Sequence, residues 1–154
     1  MSTLTWLHLS DWHWRESDGC DANIVMGKLL DDLADRARFA PEIAKINLIF
    51  VTGDIAFAGC SDDYALARRF LKRLHQATQV RKDQLFMVPG NHDVNRALIT
   101  AKAKSLVAGL SDSRAAIQLL TDEEKRAALI KRLHGYQRFV NDELGYVFDS
   151  SHYF

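Results

Sequence analysis

Residues 46–54 read Ile-Asn-Leu-Ile-Phe-Val-Thr-Gly-Asp, an apolar run that stops abruptly at a glycine followed by an acid. The stretch 46–51 has strand length and strand composition, and so do 4–9 and 85–88, each ended by polar or glycine punctuation. Helical patterns lie between them. In 23–38, Ile24, Leu30, Leu33 and Ala37 fall near helical spacing, and Pro41 ends the pattern. In Ser61–Thr78, Ser61 reads as the N-cap, Asp62 and Asp63 suit the first turn, and Tyr64, Ala67, Phe70, Leu71 and Leu74 form one apolar stripe. The order strand–helix–strand–helix–strand predicts an α/β fold with parallel strands and right-handed crossovers.

Beyond Asn95 the chain changes to helical patterns, over 97–110 and 113–120. Thr121-Asp122-Glu123-Glu124 has the form of a capping box and opens one long predicted helix through Ile130, Leu133, Tyr136 and Val140, closed by Gly145. With no internal repeat, two prolines and no Gly/Ser-rich tract, 1–154 reads as one domain. It divides into a motif-bearing α/β part, 1–95, and a helical segment, 96–154.

The 154 residues are 47% hydrophobic and 26% charged, ample for a buried core and unlike a disordered chain. Twenty basic side chains balance twenty acidic ones, so the bulk charge signals neither nucleic acid nor an anionic membrane. Cys20 and Cys60 form no CxxC pair and have no basic or histidine neighbours to activate a thiolate, which fits a reducing cytoplasm. The opening MSTLTWLHLSDWHW lacks the build of a signal peptide, and no apolar run reaches the roughly 18–20 residues of a membrane span. The expectation is a soluble cytoplasmic domain.

Chemistry collects at the strand ends. Ser10-Asp11-Trp12-His13 follows the first strand, Thr52-Gly53-Asp54 the second and Pro89-Gly90-Asn91-His92-Asp93 the third. Ligands of open parallel sheets bind outside the carboxyl ends of the strands, so three segments are expected to deliver Asp11, His13, Asp54, Asn91, His92 and Asp93 to one edge. Carboxylate, imidazole and amide donors without thiolate suit Mn, Fe, Zn or similar divalent ions. Gly53 lets the backbone bend sharply before Asp54, whose two oxygens could bridge a pair of ions. Two ions about 3.5–4 Å apart would activate water against a phosphoryl group.

The stretches HLSDWHW, VTGDIAFAG and VPGNHDVNR resemble, in order and spacing, the first three motifs of the calcineurin-like metallophosphoesterases, DxH, GD and GNHD. The resemblance implies the N-terminal half of a layered α/β sandwich of that type, mainly parallel strands with crossover helices, followed by a helical segment. It implies two divalent metal ions, with Asp11 and His13 on the first, Asp54 bridging and Asn91 on the second. His92 would serve the departing oxygen and Asp93 would orient His92, although Asp93 also reads as a helix N-cap. The implied activity is hydrolysis of phosphoesters. GDIAFAG and GNHD, in place of the GDxVDRG and GNHE of phosphoprotein phosphatases, lean towards phosphodiester, nucleotide or nucleic-acid substrates. GDIAFAG, the following Asp-Tyr helix and VPGNHDVNR also resemble phosphoesterase domains fused to large bacterial NTPases.

The family's later histidine and GHxH motifs do not occur, so the chain is expected to be part of a larger phosphoesterase and inactive alone. Its expected partners are then the C-terminal half, further domains or a second copy. The alternatives are a non-catalytic interaction module of the same fold or an inactive fragment. Trp12 and Trp14 are expected to pack rather than stack a ligand, and His8 to be a hydrogen-bonded strand histidine. His75 and His134 are assigned to solvent or cap contacts, and His152 is the one residue that could replace a missing ligand. The basic face Arg68, Arg69, Lys72 and Arg73 reads as solvated.

Overall fold

Strands β1 (Trp6–Leu9), β2 (Leu48–Thr52) and β3 (Leu85–Val88) form a parallel sheet of order β1-β2-β3. The computed structural model describes residues 3–15 and 20–146, the side chains of 20–23 excepted. Register pairs His8 with Phe50 and Phe50 with Phe86, so the three apolar runs lie level and their carboxyl ends share one edge. Helices α1 (Cys20–Phe39) and α2 (Ser61–Thr78) make the two crossovers. The sheet is therefore the parallel α/β unit that the alternating pattern predicts.

One face of the sheet carries the core. Ile49, Val51 and Leu85 meet Leu30 and Leu33 of α1 and the apolar stripe of α2. Among the described residues the opposite face is left uncovered: Trp6, Phe86 and Val88 are exposed, and the Phe50 and Phe86 rings stack at 5.5 Å. His8 lies on this face, bonded through Nε2 to the Thr52 hydroxyl at 2.7 Å. Parallel sheets are as a rule covered on both sides.

The helical segment departs from the predicted pattern in three places. A short 3-10 turn, Arg96–Leu98, precedes α3 (Ala101–Ala108), because Thr100 caps α3 by accepting from the Ala103 N–H. Asp122, rather than Thr121, caps α5 (Glu123–Ile130), while Thr121 ends α4 (Ser113–Thr121). The predicted long helix is broken by a second 3-10 turn, Lys131–Leu133, before α6 (His134–Leu144). The break has a tertiary cause: the Arg132 carbonyl accepts from the Asn95 N–H at 2.8 Å. Gly135 then lets α6 approach the Gly59 carbonyl, where a β-carbon would collide.

Helix α6 buries Tyr136, Phe139 and Val140 in the main core, whereas α3, α4 and α5 share a small separate core of Ala103, Leu119 and Leu129. No helix among the described residues is long and apolar enough to cross a membrane. His152 and the thiol of Cys20 lie outside the described residues.

Candidate metal centre at the strand ends

The loop after β1 runs beside the loop after β2 and extends the sheet's hydrogen bonding beyond the strands. Asp11 N–H donates to the Gly53 carbonyl, His13 N–H to that of Asp54 and Trp14 N–H to that of Ile55, at 3.2, 2.8 and 3.0 Å. Trp12 and Trp14 anchor this loop by packing on Phe70, with ring centroids 4.9 and 5.8 Å away. Both indoles are buried, which is the packing role expected of them. Asp11, His13 and Asp54 all adopt the left-handed region, with φ of 57°, 47° and 53°. Asp and His enter that region more readily than most residues with a β-carbon, but less readily than glycine. Strain of this kind gathers where side chains must be aimed rather than merely packed.

The loop after β3 is drawn against Asp54 by two glycines. A β-carbon on Gly53 would lie 2.8 Å from the Gly90 Cα, and one on Gly90 would strike the Asp54 carboxylate. Asp54 Oδ1 then accepts from the His92 N–H at 2.8 Å, tying the second motif to the third. The His92 ring is held separately, through Nδ1 and the Phe57 carbonyl at 2.8 Å. A carbonyl only accepts, so Nδ1 carries a proton and Nε2 is the nitrogen left for a ligand or a second proton.

Asp93 has no exposure and lies beneath this surface. Its Oδ1 accepts from Ala56 N–H and the Tyr64 hydroxyl, both at 2.9 Å, and its Oδ2 from Gly90 N–H at 2.9 Å and Ile55 N–H at 3.2 Å. Four donors fill the four acceptor sites of a carboxylate. Burial, and next the adjacent Asp93 charge, push the Tyr64 phenol far above its ordinary value. The bonds of Asp93 thus go to Ile55, Ala56, Tyr64 and Gly90 rather than to the His92 ring, and Asn95 rather than Asp93 caps the next turn. Asp93 clamps the two loops together, and the group that orients His92 is the main-chain carbonyl of Phe57.

His13, Asp54 and His92 each bring a ligand atom to within 4.8 Å of the other two. The two imidazoles meet edge to face, 4.6 Å between centroids. Asp11 stands beside them, its Oδ1 3.6 Å from His13 Nε2 and its side chain 65% exposed. Asn91 is exposed at the mouth of a hollow that His92 also lines.

The family model described as calcineurin-like phosphoesterase matches residues 4–148. The chain belongs to the calcineurin-like phosphoesterase family. No match was found among curated proteins.

Phosphoesterases of this family are typically metal-dependent, and the cluster suits a metal. Its donors are two imidazoles and a carboxylate, a set that takes Zn, Mn or Fe. His13 Nδ1 is buried without a hydrogen-bond partner among the described residues, which fits a nitrogen available to a cation. Parts of the site that the motifs alone pass over are Tyr64 and the Phe57 carbonyl. Tyr64 reads in sequence only as one member of an apolar stripe, and a main-chain carbonyl leaves no mark in sequence at all.

One smaller expectation changes. Ser61 does not cap α2; Cys60 holds the N-cap position without a side-chain bond, and Asp63 turns back to accept from Ala58 N–H at 2.9 Å. His75 holds the Val80 carbonyl through Nδ1 at 2.8 Å, and His134 is an exposed residue opening α6. The Cys60 thiol is pushed up by burial and by Asp63 and Asp62, the opposite of an activated thiolate.

Proposed function

We propose that this chain carries the metal-holding part of a cytoplasmic hydrolase of phosphoester bonds that uses two divalent ions and favours phosphodiesters of nucleotides or nucleic acids over monoesters. The observation that carries the reading is the meeting of His13, Asp54 and His92 from three separate strand ends within 4.8 Å. His13 and Asp54, with Asp11 alongside, would hold the first ion. Asp54 and Asn91 would serve the second. When bound, such ions polarise a phosphoryl oxygen and bring the pKa of water down towards about 7.

The protein's own contribution is aim. The His92 N–H occupies Asp54 Oδ1 and leaves Oδ2 for a ligand, and the Phe57 carbonyl fixes the proton on His92 Nδ1. His92 Nε2 is then the atom that meets the departing oxygen or a cation. Asp93 positions both loops from below.

Loading the intact parent protein with Mn and assaying bis-(p-nitrophenyl) phosphate tests this reading, together with metal content by mass spectrometry. Hydrolysis should be metal-dependent, and Asp54→Asn should lower both bound metal and rate by at least the roughly 10–100-fold typical of losing a group that merely supports a ligand. A Mn-loaded protein that cleaves nothing, with Asp54→Asn unchanged in metal content, would end it.

A second reading, an interaction module without catalysis, is favoured by the bare sheet face with Trp6, Phe86 and Val88 exposed. Its partner would be a further protein segment covering that face. Such a module stays metal-free in excess Mn.

A further inference from the structure

The hollow beside His92 has a volume of about 310 Å³, enough for one nucleoside-sized group. Its walls come from the two loops that build the cluster: Phe57 and Ala58 from one, Asn91, His92, Val94 and Arg96 from the other. No carboxylate lines it, although Asp11, Asp54 and Asp93 all belong to adjoining turns. Arg96 is the only basic side chain there besides His92, and no ion pair engages it among the described residues. A guanidinium at the rim of a carboxylate-free hollow selects an anion, and its planar fork matches phosphate.

The backbone under Arg96 is fixed relative to His92. Asn95 N–H donates to the Arg132 carbonyl at 2.8 Å, and the Asn95 side chain accepts from Ala97 N–H at 3.0 Å. Gly59 allows this closeness, since a β-carbon there would run into Asp93 and Asn95. On the apolar side, the Arg15 guanidinium lies 3.4 Å from the centre of the Phe57 ring and backs that wall.

We propose that this hollow receives the group esterified on the leaving side of a phosphodiester, and that Arg96 binds a second phosphate carried by that group. The preferred substrate is then a nucleotide unit phosphorylated at two positions, as inside an oligonucleotide, rather than an ester with an uncharged alcohol. This rests on the phosphoester reading of the neighbouring cluster. A nucleoside seated against Phe57 and Val94 has its ester oxygen beside His92, the one residue shared by hollow and cluster. Arg96 is a specificity residue: it touches a remote phosphate, so its interaction orients substrate without entering the chemistry.

Calorimetric titration of thymidine 3′,5′-bisphosphate into metal-free wild type, Arg96→Ala and Arg96→Lys separates the possibilities, with thymidine as control. Arg96→Ala should weaken bisphosphate binding roughly tenfold or more and leave thymidine unaffected, and Arg96→Lys should recover part of the loss. Equal bisphosphate affinity in wild type and Arg96→Ala overturns the proposal, as does a wild type that does not bind it. If binding depends on Arg96 but the Mn-loaded intact parent protein cleaves no bis-(p-nitrophenyl) phosphate, the hydrolase reading fails and this subsite stands. With cleavage intact and binding independent of Arg96, the hydrolase stands and the subsite fails.

Discussion

The turns around the cluster and the helical segment after Thr100 follow opposite rules. Helices α3, α4 and α5 each begin with a side-chain cap, from Thr100, Asp112 and Asp122, at 3.1, 2.8 and 3.1 Å. Nearer the cluster, α2 and α6 begin without one. There the polar side chains are committed elsewhere, Asp63 to the Ala58 amide and Asp93 to three amides and a phenol. Local preference governs where only folding is at stake, and it yields where side chains must be aimed at a common point. The energetics should differ accordingly, with few large effects in the loops and small ones in the helices.

Asp93→Ala should have the largest effect on stability. It leaves three buried donors and one half-buried donor without an acceptor, a loss of at least about 3 kcal/mol, read from the urea unfolding midpoint. A loss no larger than that of a helix cap would erase the contrast. Tyr64→Phe removes one of those donors and should cost roughly 2 kcal/mol at neutral pH, since the bond is to a charged group.

The Tyr64 phenol also predicts a pH dependence. Its folded value lies above the unfolded one near 10, so the stabilisation is complete below that pH and declines as the unfolded chain begins to release the proton. Unfolding followed between neutral and strongly alkaline pH should show a falling limb in wild type that Tyr64→Phe flattens. Thr100→Ala, at an exposed cap of α3, should cost only about 1 kcal/mol and leave metal content unchanged.

The sheet and its crossovers are legible in the sequence because apolar runs of strand length, ended by glycine or acid, have few alternatives. The three motif turns are legible for a related reason, since strand ends of a parallel sheet share an edge. The break at Lys131–Leu133 is not legible: that tripeptide contains neither glycine nor proline, and its 3-10 turn answers an amide donated from Asn95, far away in sequence. Nor is the holder of His92, a carbonyl that any residue at position 57 would supply. A carboxylate beside a histidine suggests a pair, whereas the four donors that saturate Asp93 are three amides of the two loops and the Tyr64 hydroxyl of α2.

The left-handed backbones of Asp11, His13 and Asp54 carry a cost for heritable variation. Glycine is the residue that relaxes such a conformation most cheaply, and glycine at any of the three would discard a donor. Selection for thermal robustness alone would thus drift towards an inert protein, and keeping all three side chains requires a benefit other than folding.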